Sequence, residues 1–145
     1  MARTSTYLNF ARETEAAFNF YRSVFGTEFE SDFRRMGDVP AHDGMPPMAE
    51  EDKSLVMHVA LPILGGHVLM GTDSPESMGF TLTQGDNVHI NLEVDTPSEA
   101  QQLFSALSDG GTVGMDLQPM FWGALFGSLT DKFGTSWMIN CATTQ

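Results

Sequence analysis

Few side chains in this sequence can do chemistry, and their spacing restricts what that chemistry is. Of the four histidines, His58 lies in "LVMHVAL" and His89 in "NVHINLEV", each within an alternating apolar–polar run. An imidazole titrates near neutral pH, so His58 and His89 are candidate catalytic acid–base groups, or groups that hydrogen-bond a ligand. For His58 the competing reading is a satisfied interior or surface ring. His67, beside a Gly-Gly turn, and His42, among acidic residues, read as solvated. Arg34-Arg35 is an adjacent basic pair in a chain of 19 acidic and 7 basic residues. On an alternating strand one of the two faces inward, and an inward Arg34 would take a carboxylate or phosphonate through a two-pronged contact. An ion pair with nearby acidic residues is the alternative. No Gly-rich phosphate loop, Ser-His-Asp order or CxxC motif is present. Cys141 is the one cysteine, which excludes an intramolecular disulfide and reads as a small buried hydrophobe.

The second chemical feature is "FWGALFGSLTDKFGTSWMIN", residues 121–140, with both tryptophans and two charged side chains, Asp131 and Lys132. Phe121, Trp122, Trp137 and Met138 are candidate ligand-binding residues, because large aromatics on strands either fill a hollow or leave a slot for a flat molecule. The same block reads first as structural core and second as one wall of a cleft. Ten methionines add an adaptable lining.

Composition narrows the partners. The formal net charge of −12 repels phosphate backbones and anionic lipid, so the sequence predicts no nucleic-acid and no membrane-surface binding. The N-terminal "MARTSTYLNF" has no apolar core of a signal peptide, and no apolar run approaches a membrane span, so a cytoplasmic protein is expected.

These residues need elements to position them. "TSTYLNF" alternates as a strand, and "RETEAAFNFYRSVFG" turns helical, with Ala17, Phe18, Tyr21, Val24 and Phe25 on one face, Thr14 as N-cap and Gly26 as stop. "TEFESDFRRM" reads as a further strand through Phe29 and Phe33. Residues 37–53 form a long Pro- and acid-rich loop, a candidate lid or interface arm. "SLVMHVALPI" and "GHVLMGTD" follow as a strand pair around Gly65-Gly66. The order then repeats: "DNVHINLEV" as strand, a helix with the capping box Thr96/Glu99 and Pro97 at its first position, and three strands after Gly110-Gly111. Leu8, Phe10, Glu15-Ala16, Phe20 and Gly26 match Leu92, Val94, Glu99-Ala100, Phe104 and Gly110 at an offset of 84, and Gly66, Leu69 and Met70 match Gly134, Trp137 and Met138 at 68. The expected fold is therefore α+β, one domain over 1–145 with module one at about 1–80 and module two at about 81–145. Each βαβββ module leaves one sheet face bare, and the two are expected to wrap into a cupped, incompletely closed eight-stranded mixed β-sheet barrel around a cleft.

The residues "YLNF", "EAAFNFYRSVFG", "MHVALPI", "HVLMGTD" and above all "FWGALFGSLTDKFGTSWMIN" resemble the PhnB-like branch of the vicinal oxygen chelate superfamily, the glyoxalase/bleomycin-resistance/dihydroxybiphenyl dioxygenase group. The resemblance implies a divalent ion held by His and Glu side chains from the first and last strands of each module. Carried over position by position, those sites fall on Ser5 (or Thr6), Met70, His89 and Met138. One of the four is a suitable donor, since a thioether is a poor ligand for hard or borderline ions. No bound metal and no other cofactor is expected. The implied function is metal-independent small-molecule binding, with or without a reaction using His89 and His58. The alternative is a metal-dependent lyase, isomerase or dioxygenase holding a divalent metal ion. A homodimer is implied by the resemblance. The demethylubiquinone methyltransferase-like label of this branch finds no support in the residues, because the Gly cluster at 109–114 follows a helix instead of joining a strand to one.

Overall fold

A computed structural model describes residues 2–40, 44 and 47–142. They form two compact units, Met1–Thr83 and Gln84–Gln145, each with one four-stranded mixed sheet and one long helix.

In the first unit, strand β1 (Thr6–Phe10) leads into helix α1 (Thr14–Phe25), then β2 (Arg34–Arg35), β3 (Val56–Pro62) and β4 (Val68–Asp73). The sheet order is β1-β4-β3-β2, with β1 and β4 parallel and the other pairs antiparallel. Helix α1 buries Thr14, Ala17, Phe18 and Tyr21, the expected stripe shifted toward the N-terminus, and Gly26 ends it in the left-handed conformation at φ 66°. Thr14 is the first helical residue and not the cap. Its N–H is instead taken by the remote carboxylate of Asp73 at 3.0 Å, whose other oxygen accepts from the Val56 N–H at 2.8 Å. This buried side chain thus ties helix start, β3 and β4 together.

The strand expected over 27–36 shrinks to Arg34–Arg35. Phe29 and Phe33 stack on one another with ring centres 4.9 Å apart, and Glu30 N–H to Ala60 C=O and the Thr27 hydroxyl to Pro62 C=O hold this stretch to β3. Two aromatics at alternate positions mimic a strand pattern while packing locally. The loop after β2 is closed at its base by Gly37 N–H to Lys53 C=O and Met36 N–H to Leu55 C=O. Its buried Asp52 is held by Arg12 (2.9 Å) and Ser77 (2.6 Å). His42 lies outside the described residues.

The second unit runs β5 (Ile90–Val94), α2 (Pro97–Ser108), β6 (Thr112–Met120), β7 (Ala124–Thr130) and β8 (Ser136–Ala142), in the order β5-β8-β7-β6. Of the expected capping box the threonine half forms: Thr96 Oγ1 accepts from the Glu99 N–H at 3.1 Å, with Pro97 at the first helical position, while Glu99 Oε1 takes the Thr96 hydroxyl at 3.3 Å. Ala100, Leu103, Phe104 and Leu107 are its buried stripe.

The registers reveal how faithful the repeat is. Thr6 pairs with Leu69 and Ile90 with Trp137; Val59 pairs with Gly71 and Gly127 with Ile139. The strands therefore correspond at the offsets of 84 and 68 found in the sequence. The helices do not: the buried pairs are Ala17/Ala100 and Tyr21/Phe104, while Ala16, matched above to Ala100, is exposed. The link from β5 to α2 is one residue shorter than that from β1 to α1.

Candidate functional site

Strand alternation sorts each sheet into a helix-covered face and a second face, because residues directly opposed across a strand pair share a side. Gly71 identifies the covered face of the first sheet, since a Cβ there would meet the Phe18 ring at 2.5 Å. Val59, Leu61, Leu69 and Leu8 follow it toward α1. Tyr7, Asn9, Met70, Thr72, His58 and Ala60 take the second face, with Arg34 opposite His58.

On that second face the polar groups meet. Tyr7 Oη lies 3.1 Å from His58 Nδ1, the two rings 5.8 Å apart. Burial raises the Tyr7 hydroxyl above its ordinary value of 10.0, so at neutral pH it keeps its proton and remains a donor. The Ser5 hydroxyl donates to Met70 Sδ at 3.7 Å. Neighbouring Thr6 Oγ1 is 2.9 Å from His67 Nε2, so His67 is partnered and half-buried instead of solvated.

The two arginines divide as the alternation requires. Arg35 turns to α1 and grips Glu15 with bonds of 2.6 and 3.1 Å, which raises the arginine's pKa and lowers that of the glutamate. Arg34 is exposed and, among the described residues, has no ion-pair partner. From Arg34↔His58 to Arg35↔Val56, β3 advances two residues for one on β2, a bulge in which Met57 is the extra residue. Beside it lies a cavity of 210 Å³ lined by Arg34, Asp38, Val39, Pro40 and Met57.

In the second sheet Gly127 identifies the covered face, since a Cβ there would meet the Phe104 ring at 2.7 Å. Trp137, Ile139 and Cys141 share that face, by their pairing with Leu129, Gly127 and Leu125. Trp137 is therefore a core residue and not a ligand wall. It is 0% exposed, and its indole N–H donates to Asp131 Oδ2 at 2.9 Å. Cys141, four residues further along the strand, is buried too, as expected of a small hydrophobe.

Met138, on the second face opposite Asn91 and Ser128, is half-buried. His89 stops one residue short of β5 and is exposed, because the parallel ladder with β8 begins at Ile90. Phe121 and Trp122 sit in the β6–β7 turn, 96% and 50% exposed, stacked edge-on at 5.0 Å. Trp122 in turn reaches Phe126 at 6.0 Å. The candidate residues thus fall into two sets, His58 and Arg34 on the first unit, His89, Met138 and Trp122 on the second. Tyr7 joins the first set through the structure alone. A lone tyrosine on an alternating strand carries no motif, and its partner is 51 residues away.

The positions at which the superfamily grips an ion hold hydroxyl, thioether and one imidazole. In the first unit the hydroxyl and thioether bond each other. Among the described residues, no three His, Cys, Asp or Glu gather closely enough to hold a metal ion. This donor set does not fit a divalent metal centre. The strand-to-helix links, Ala11-Arg12-Glu13 and Asp95-Thr96, contain no glycine, so neither offers the turn of a conventional S-adenosylmethionine site. No described helix is long and apolar enough to cross a membrane.

Known proteins share this fold. The structure of protein PA1353 from Pseudomonas aeruginosa is 35% identical with a TM-score of 0.81, over 97% of this chain and 98% of that one. A PhnB protein from Bacillus cereus, bearing the 3-demethylubiquinone-9 3-methyltransferase label, is 28% identical with a TM-score of 0.73, over 97% and 100%. Protein YjdN of Escherichia coli K12 is 28% identical over 97% of this chain and 96% of its own length. With residues 6–139 matching the family model for the Glyoxalase/Bleomycin resistance protein/Dioxygenase superfamily, the chain belongs to that superfamily.

Proposed function

We propose that the protein is a PhnB-like small-molecule-binding member of its superfamily that works without a bound metal, as a cytoplasmic homodimer. The contact between Ser5 Oγ and Met70 Sδ carries this reading. It sets a neutral, mutually satisfied pair at the two first-module positions where the superfamily's chemistry calls for basic or anionic donors. A single imidazole, His89, cannot hold a catalytic ion by itself. The second faces of both sheets supply what a ligand surface needs: thioethers, aromatic edges and a few polar groups.

Metal analysis of untagged protein, alongside His89→Ala, tests the metal-free part. The expectation is no stoichiometric metal in either. Stoichiometric metal in the parent that disappears in His89→Ala would overturn it and favour the metal-dependent lyase, isomerase or dioxygenase. Titration with aromatic anions, cations and neutral compounds in the presence of a chelator, read by Trp122 fluorescence and by calorimetry, tests the binding part.

A further inference from the structure

We infer that Arg34, His58 and Tyr7 form an oxyanion subsite on the first unit that takes the carboxylate or phosphonate group of a small-molecule ligand. The inference rests on the small-molecule-binding reading above and adds the chemical class of the ligand and the atoms that receive it.

Arg34 supplies the charge. In this strongly acidic chain Arg3, Arg12, Arg22, Arg35 and Lys53 are each engaged by a carboxylate. Arg34 has none among the described residues, although it stands next to Arg35 and four residues from Asp38. The Asp38 carboxylate, which lines the same cavity, is engaged by the Arg35 N–H at 3.0 Å. A guanidinium presents five donors in a fork that matches an oxyanion.

His58 supplies the second donor. It sits directly across the β2–β3 pair from Arg34, where Cβ atoms are about 4.5–5.5 Å apart, close enough for both side chains to reach one anionic group. Tyr7 decides which of the ring's nitrogens is free. Its hydroxyl lies 3.1 Å from Nδ1, and in the proposed state it donates there, with the ring proton on Nε2. Among the described residues Nε2 has no partner. Tyr7 is thus a positioning residue that makes His58 a donor toward the ligand.

The repeat provides an internal control. At the positions that correspond to Tyr7, His58 and Arg34, the second module carries Asn91, Phe126 and Gln118. The same scaffold therefore folds without a phenol, an imidazole or a guanidinium at these places, and the trio is not a requirement of the sheet. Of the trio, Arg34 alone lines the 210 Å³ cavity, so the subsite is placed at the Arg34 edge of that cavity. With a net charge of −12, general attraction to anions is absent, so a preference for them must arise locally.

Isotope-labelled full-length protein titrated with benzoate, phenylphosphonate and the neutral benzamide tests this by NMR. Both anions are expected to shift the Arg34 and His58 side-chain signals and to bind about tenfold or more tightly than benzamide. Arg34→Gln should remove that preference, with Arg34→Lys intermediate. Long-range proton–nitrogen spectra should show His58 Nε2 protonated and Nδ1 bare, and Tyr7→Phe should erase this tautomer preference while the backbone amide spectrum stays native. Benzamide binding as well as benzoate, indifference to Arg34→Gln, or shifts confined to Trp122 and its neighbours would each overturn the subsite and leave small-molecule binding standing. Failure of every compound to bind would remove both. Anion binding that Arg34→Gln abolishes but that also requires added metal would uphold the subsite and remove the metal-free reading.

Discussion

Replacing Asp131 with Asn should destabilise the second unit far more than the loss of one charge suggests, and Trp137 is the reason. Asp131 is 3% exposed. Its Oδ1 accepts from the N–H groups of Phe133 at 2.8 Å and Thr135 at 3.1 Å, and its Oδ2 from the Trp137 indole at 2.9 Å. An asparagine has one acceptor oxygen. If that oxygen keeps the two backbone donors, its NH2 group faces the indole N–H, donor against donor, in a site with almost no exposed surface. The flipped amide sets the NH2 against two backbone donors, which is worse. A buried donor left without a partner costs about 1–3 kcal/mol, and the two retained bonds lose their charge assistance, so the total is about 2–4 kcal/mol. Urea unfolding followed by circular dichroism measures it. Trp137→Phe removes the indole donor, so Asp131→Asn should cost about 1 kcal/mol or more less in that background. Additive costs, within about 0.5 kcal/mol, would refute the pairing as the source.

Two further outcomes follow from the first unit. The Ser77 hydroxyl and the Arg12 guanidinium hold the Asp52 carboxyl below its ordinary range, so its contribution is full above the unfolded value of about 3.9 and lost as pH falls through the lower folded value. The urea midpoint of the parent should therefore drop more steeply below about pH 4 than that of Asp52→Asn; equal slopes would refute the linkage. Gly71→Ala places a methyl 2.5 Å from a ring atom of Phe18, a side chain with no exposed surface, and should cost about 1–3 kcal/mol in unfolding free energy; an unchanged midpoint would show that the α1–sheet contact is looser than described.

Much of this fold is legible because it is written twice. Gly26 and the Thr96 cap carry local chemistry that ends or starts a helix whatever surrounds it, and the alternation in "YLNF" and "INLEV" sets which side chains share a face. Where the sequence misleads, two physical causes compete for one pattern. Phe29 and Phe33 alternate as a strand would, yet stack on each other. Thr14 has the cap's chemistry, yet the cap comes from Asp73, 59 residues on. Trp122 and Trp137 look alike in a glycine-rich aromatic block. The odd-position series Trp137, Ile139, Cys141 marks the buried face, but only the pairing with Gly127 and Leu129 shows which face the helix covers.

The candidate site was less legible than the fold for a related reason. Register carries it, and no motif does. Tyr7, His58 and Arg34 come from three strands and meet only because β4 separates β1 from β3 and the bulge at Met57 sets Arg34 against His58. Duplication explains why such a set can exist without harming the fold. Two modules with matching strand registers satisfy the same backbone bonds and the same helix-facing packing, so those positions are constrained in both. The second-face positions escape those two constraints, and apart from Met70 and Met138 the modules part there: Ser5 against His89, Tyr7 against Asn91, His58 against Phe126, Arg34 against Gln118. Chemistry has accumulated on the first module and aromatic surface on the second. A functional site on this chain is therefore to be sought where the repeat fails to repeat.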